Sequence, residues 1–247
     1  MPTDSLDGTV VLVTGASAGI GEATVRRVAA DGADVALLAR SEGRLRDIAD
    51  EVAEAFGVET HVVPADVSDP AAVAAAVEST VETLGSLDGV VVNAGLALGS
   101  DVEAMTDEDY RTMTDVNVDG AFYTARETLP HLRDGAGNIV FIGSFAGQYP
   151  RPFNPVYAAT KWWVRGFAMS LAGQVGGDDV GVTVVNPTEV RSEFGSEEGE
   201  PFEERFDPGE VTEPEEVADA AAFALAQTPP TTVNELDVYR RDKFGGF

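Results

Sequence analysis

Tyr157-Ala158-Ala159-Thr160-Lys161 places a phenol and a primary amine four residues apart. On a helix, positions i and i+4 share a face, with Cβ atoms ~5–6 Å apart. A tyrosine in isolation, with a pKa of ~10, is a poor base near neutrality. A neighbouring ammonium favours the phenolate, and further positive charge favours it more. The pair therefore suits proton exchange with an alcohol or ketone oxygen. Such pairs also arise by chance on amphipathic helices. Lys161, however, is one of only two lysines, with Lys243, in a chain that otherwise uses Arg. Ser144 closes the apolar run Ile142-Gly143-Ser144, which brings its hydroxyl to the edge of a sheet near Tyr157. Taken alone, a serine there more commonly makes a turn. Asn117 falls within a helical stretch, where Asn is unfavourable. That cost points to a polar task, the alternative being an exposed helical Asn.

A second constellation is Thr14-Gly15-Ala16-Ser17-Ala18-Gly19-Ile20-Gly21, set between an apolar strand and a helix at the start of the chain. Glycine permits the tight turn and lets backbone approach a pyrophosphate, while the helix N-terminus offers unpaired N–H groups to the anion. A glycine-rich turn without a ligand is the alternative. Roughly 20 residues further on, where such folds read the adenosine ribose, stands Ala39-Arg40-Ser41. An acid there would bond a 2′-hydroxyl and repel a 2′-phosphate. Arg40 can instead make charge-assisted bonds to a phosphate, with the Ser41 hydroxyl and Arg44 in support. Arg40 capping the sheet edge is the alternative. The reading predicts NADP(H) over NAD(H).

These groups need elements to position them. Apolar, β-branched runs predict strands at 9–14, 34–39, 59–64, 89–92, 138–143, 181–186 and 233–238. The first six are near-continuous, as in strands covered on both faces. Helical spacing and caps predict helices at 19–31, 41–56 (entered by a capping Ser41), 69–84 (entered by Asp69-Pro70), 107–132, 155–175 and 214–226. Strand–helix alternation means βαβ units and a mostly parallel sheet. Right-handed crossovers make it a doubly wound α/β Rossmann fold of seven parallel strands, order 3-2-1-4-5-6-7. With no linker or repeat, 1–247 is expected to be one domain. Residues 189–212 follow the sixth strand and form either a lid over the sheet's carboxyl edge or a surface loop.

Composition narrows the classes. Acidic residues number 43 against 16 basic, a formal net charge of −27, which argues against nucleic acid as a partner. The acids are dispersed rather than gathered in a tail. An evenly acidic, Lys-poor, Ala- and Val-rich chain resembles proteins of salt-loving organisms, whose carboxylates keep the surface hydrated in screening salt. No stretch approaches the ~20 apolar residues needed to cross a membrane. The N-terminus lacks a basic or apolar signal, so a cytoplasmic location is expected. With no cysteine, disulfides, thiol nucleophiles and thiolate metal sites are excluded. His61 and His131 have no ligand partner at useful spacing, so no metal is expected.

The loop Thr-Gly-x-x-x-Gly-Ile-Gly, Asn93-Ala94-Gly95 after the fourth strand and Tyr157-x-x-x-Lys161 together resemble the short-chain dehydrogenase/reductase family, over essentially the whole chain. The resemblance implies an NADP-dependent oxidoreductase interconverting a small-molecule secondary alcohol and ketone, and this family's Arg40-type residue goes with NADP. It implies that Ser144 bonds the reacting oxygen, Tyr157 exchanges its proton, Lys161 lowers the tyrosine pKa and orients ribose, and Asn117 holds a relay water. It implies a cofactor site of Gly15, Ser17, Gly19, Ile20, Gly21, Arg40, Ser41, Asp66, Val67, Asn93, Ala94, Gly95, Tyr157, Lys161, Pro187, Val190 and Ser192. Pro187-Thr188-Glu189-Val190-Arg191-Ser192 departs from the family's Pro-Gly-x-Val-x-Thr at Thr188 and Ser192. An apolar substrate pocket is expected from Leu96, Tyr149, Phe153, Thr188 and Phe194. The C-terminal part is similar to 3-hydroxy acid and serine-type dehydrogenases, and 3-oxoacyl reduction is a further alternative. A cofactor-sensing protein without turnover would need only the glycine loop and ribose site. Trp162 and Trp163 cannot both face one core, so one is assigned to a partner subunit in a homotetramer, the family's usual habit.

Overall fold

The computed structural model describes residues 5–98, 101–194 and 201–245. Its centre is a parallel sheet of seven strands. They are β1 (Val10–Thr14), β2 (Asp34–Ala39), β3 (Thr60–Pro64), β4 (Gly89–Val92), β5 (Asn138–Ile142), β6 (Gly181–Pro187) and β7 (Glu235–Val238). Their order is β3-β2-β1-β4-β5-β6-β7. The pleat sends alternate residues to opposite faces. Val11, Val13, Val35 and Leu37 pack with α1 (Gly19–Ala30), α2 (Glu42–Phe56) and, later in the chain, a helix at Pro214–Leu225. Leu12, Ala36, Leu38 and Val90 pack with α3 (Pro70–Leu84) and with helices at Gly120–Gly135 and Pro155–Val175. The chain runs outward from β1 to β3 and then returns to β4 beside β1. The crevice at that reversal opens at the strands' carboxyl ends, where α/β sheets bind ligands.

Local signals set most boundaries. The Asp69 side chain accepts from Ala71 N at 2.9 Å and Ala72 N at 3.2 Å, Pro70 opens α3, and Gly85 ends it at φ 89°. Ser41 precedes α2 but makes no capping bond, so its hydroxyl is not spent on the helix. The strand at 59–64 differs from expectation. As β3 it forms a sheet edge and is mostly half-buried.

The stretch expected as one helix over 107–132 is α4 (Asp107–Thr114), a π-helical turn (Asp115–Asp119) and α5 (Gly120–Gly135). A π turn admits one more residue than an α turn and re-aims the side chains it carries. Here it turns Asn117 inward, to 2% exposure. Gly120 permits the packing: a Cβ there would stand 2.8 Å from Val67 Cγ2. The next helices are α6 (Pro155–Val175), the short α7 (Phe202–Arg205) and α8 (Pro214–Leu225). On α6 both tryptophans are exposed, neither facing the core, and Trp163 stacks on Phe167 at 4.8 Å.

Candidate active site

Two cavities of about 280 and 160 Å³ lie end to end along the sheet's carboxyl edge, sharing Gly15, Ser17, Ala94, Gly95 and Leu96. The glycine loop forms their floor. Gly15 and Gly19 have φ of 66° and 55°, a region L side chains rarely adopt. Gly21 is buried, and a Cβ on it would lie 2.0 Å from Gly15 O; it closes the loop from beneath. Thr14 and Asn93 brace the loop against β4. Thr14 Oγ1 accepts from Asn93 N at 2.9 Å and Ala94 N at 3.1 Å, while Asn93 Nδ2 donates to Thr14 O at 2.9 Å and Gly15 O at 3.2 Å. Asn93 therefore spends its amide on the protein. Ala18, at the N-cap of α1, offers no side-chain cap, and Ser17, Ala18, Gly19 and Ile20 line the larger cavity. Uncapped N–H donors on an open wall fit the diphosphate of a dinucleotide.

The smaller cavity is bordered by Arg40, Ser41, Asp66 and Val67. Asp66 Oδ1 accepts from Ser68 N at 2.9 Å and Ser68 Oγ at 2.7 Å. Burial pushes this carboxyl up, but the Ser68 bonds and the Arg40 charge hold it below the ordinary range. Arg40 is exposed and makes no ion pair among the described residues. Arg44, expected to support it, is instead paired with Glu193 at 2.8 Å.

Ser144, Tyr157 and Lys161 meet at the wall of the larger cavity. Asn154 caps α6 by accepting from Tyr157 N at 3.3 Å. Ser144 Oγ accepts from Ala146 N at 3.0 Å, and the Ser144 hydroxyl stands near enough to the Tyr157 phenol to favour its ionised form. Lys161 Nζ donates to Ile142 O at 2.9 Å and lies 6.0 Å from the Tyr157 ring centroid. Burial lowers the Lys161 pKa from 10.5 to about 8. Burial also pushes the Tyr157 phenol up, against a downward pull from the Ser144 bond and the Arg151 charge. Asn117 does not line the cleft. Its Nδ2 donates to Leu96 O at 2.8 Å and Thr160 Oγ1 at 3.0 Å, and its Oδ1 accepts from Leu96 N at 2.9 Å. Its carboxamide is a brace between the segment after β4 and α6. It still approaches Lys161: a Cβ on Gly95 would be 3.3 Å from Asn117 Oδ1 and 3.5 Å from Lys161 Nζ.

Pro187, Val190 and Ser192 line the opposite wall, with Glu193, Phe194 and Phe202. The Phe194 ring lies 5.7 Å from that of Tyr157 and 6.0 Å from Phe202. The segment at 189–212 therefore borders the cleft, although 195–200 of it lie outside the described residues. The expected pocket is corrected at three positions. Tyr149, Phe153 and Thr188 do not line the cavity. Tyr149 stacks on Phe145 at 4.4 Å and packs on Phe244, whereas Phe153 lies outward over Arg151. Thr188 bonds through its backbone N to Val238 O, and its hydroxyl is buried without a partner.

A sequence profile of the short chain dehydrogenase family matches residues 9–201. The chain belongs to this family. Sulfoacetaldehyde reductase 2 of Chromohalobacter salexigens is 38% identical over 188 residues, covering 75% of this chain and 74% of that protein. The NADP-dependent 3-hydroxy acid dehydrogenase of Shigella flexneri is 33% identical over 237 residues, covering 93% and 94%. Among solved structures, an alcohol dehydrogenase of Thermococcus sibiricus complexed with 5-hydroxy-NADP superposes with a TM-score of 0.85 at 32% identity, covering 94% of this chain and 96% of that one. As a short-chain dehydrogenase the chain is an oxidoreductase acting on CH–OH groups with a nicotinamide cofactor.

Three residues of this dehydrogenase's site escaped the motif reading. Thr160 accepts from Asn117 and donates to Tyr157 O at 2.8 Å, tying the brace to α6. Its only sequence signal is its place between Tyr157 and Lys161. Phe202 and Glu193 enter the wall through tertiary contact and carry no motif. Asn117→Ala should strip Leu96 N and O and Thr160 of buried partners, costing about 2–4 kcal/mol in urea denaturation. A loss below about 0.5 kcal/mol would show that the brace is dispensable.

Proposed function

We propose that this short-chain dehydrogenase, acting as one domain over 1–247, interconverts a secondary alcohol and a ketone with NADP(H). The observation that carries the reading is the meeting of Ser144, Tyr157 and Lys161 at the wall of the cavity that the glycine loop floors. When bound, the reduced nicotinamide supplies a hydride to the carbonyl carbon. Ser144 donates to the carbonyl oxygen and stabilises its developing charge. Tyr157 gives its phenolic proton to that oxygen, so the ketone gains hydride and proton and leaves as the alcohol. Lys161 donates to ribose hydroxyls. The tyrosinate regains its proton from solvent, past the ammonium and a water held at Asn117. Gly15, Ser17, Gly19 and Ile20 hold the diphosphate, Asp66 and Val67 the adenine side, Ala94 and Gly95 the passage between the cavities, and Pro187, Val190 and Ser192 the nicotinamide.

Arg40 and Ser41 support NADP, since both border the ribose end with uncommitted polar groups. The similarity to an NADP-dependent 3-hydroxy acid dehydrogenase and to an alcohol dehydrogenase complexed with 5-hydroxy-NADP supports it too. Exposed Phe122, Trp162 and Met169 support a homotetramer, and the dispersed acidity supports work in concentrated salt inside the cytoplasm.

Tyr157→Phe should reduce turnover by at least about 10³-fold while NADPH titration still shows binding; substantial residual activity removes Tyr157 from the mechanism. Arg40→Ala should lower the NADP-over-NAD ratio of kcat/KM by about 10- to 100-fold, and an unchanged ratio would assign the phosphate elsewhere. Lys161 carries its proton below about 8 and loses it above. NADPH affinity should therefore fall as pH rises through that value, and a Lys161→Met protein should lack the step.

A further inference from the structure

Among the described residues, one carboxylate lines the larger cavity, that of Glu193. It follows Ser192, which stands against the start of α1: a Cβ on Gly19 would lie 3.1 Å from Ser192 Cβ. Ala18 leaves that helix start without a side-chain cap, and the unpaired N–H groups there attract anions. A carboxylate tethered one residue from Ser192 is a built-in rival for that place. Glu193 is instead held elsewhere. Arg44 Nη1 donates to its two oxygens at 2.8 and 3.1 Å. Arg44 lies in the first turn of α2, three residues past Ser41, which borders the smaller cavity. The pair thus joins the element beside the adenosine end to the wall of the larger cavity. Glu22, in the first turn of α1, adds a weaker attraction on Arg44. The Arg44 and Glu193 side chains are 56% and 47% exposed, and pairs so exposed contribute little to stability. Holding the fold together therefore does not explain the pair.

Resting on the placement of the dinucleotide along the two cavities, we propose that Arg44 is a positioning residue for coenzyme binding: by neutralising Glu193 and drawing it off the start of α1, it removes an internal repulsion against the coenzyme's phosphates. The chain carries a net charge of −27, but acids more than about 10 Å from the phosphates are largely screened by salt. Glu193 stands on the cavity wall itself, so its charge counts individually. The diphosphate is common to NADP and NAD. The pair therefore sets affinity for both coenzymes and leaves the choice between them to Arg40.

The test titrates NADPH and NADH into the full-length protein by calorimetry, at one ionic strength. Arg44→Met should raise the Kd of both coenzymes by a similar factor, about 5- to 30-fold, and Arg44→Lys should keep most of the affinity. Glu193→Gln should lower both Kd values by about 2- to 10-fold, because it frees the guanidinium charge. The double variant should return to within about threefold of the parent. Opposite signs from the two halves of one ion pair are the signature, since a purely structural clasp would weaken binding whichever half is lost. Glu193→Gln alone decides the matter if an Arg44 variant does not fold. Weaker or unchanged binding in Glu193→Gln would overturn the proposal, as would an Arg44→Met effect confined to NADPH. In those cases the dinucleotide reading stands. A parent protein that binds neither coenzyme would overturn both.

Discussion

The Lys161 ammonium is buried against the carbonyl of Ile142, and among the described residues no carboxylate pairs with it. Burial depresses its pKa to about 8, a cost of roughly 3 kcal/mol for keeping the charge. That bond ties α6 to the end of β5, alongside the packing of Val164, Ala168 and Leu171 against the sheet. Ser144 follows Ile142 by two residues and Tyr157 precedes Lys161 by one helical turn, so registering Lys161 on the strand brings both hydroxyls to one point. The chain's other cations mostly form half-exposed pairs at the surface, such as Arg26–Glu22 and Arg46–Glu42. Pairs of that kind contribute little to stability. The expensive charge is the one at the cleft.

Two polar braces keep the surroundings rigid. Thr14 and Asn93 bind the glycine loop to β4, and Asn117 with Thr160 binds the segment after β4 to α6. Both satisfy buried polar groups internally, which specifies one arrangement of the backbone. The polar groups at the cavity include the start of α1, the Ser144 and Tyr157 hydroxyls, the Lys161 amine, Ser192 and Glu193.

Much of this was legible along the chain because it is local. Asp69-Pro70 and Asn154-Pro155 announce helix starts through caps that act within three residues. The buried runs of β1, β4 and β6 announce a sheet covered on both faces. The glycine loop and Tyr157–Lys161 have fixed short spacings, and the structure places both at one cavity. What was missed depends on distant contacts. The π turn at Asn117 arises where Gly120 packs on Val67 and Leu96 offers its backbone. Tyr149 leaves the pocket wall because Phe145 and Phe244 hold it, the latter from nearly a hundred residues away. Arg44 was a reasonable phosphate ligand by position, and only the fold reveals Glu193 beside it.

Phe194 follows Ser192 and Phe202 opens the short α7, beside the bridge of Val190 to Thr212, whereas Ser144 follows β5 and Tyr157 and Lys161 stand on α6. Lining and chemistry are therefore mechanically separate parts. The two rings can be exchanged for smaller or bulkier ones without disturbing any bond that aligns Tyr157, Ser144 or Lys161. A scaffold built this way can diversify its clientele by drift in one tolerant stretch while its proton-transfer apparatus stays untouched.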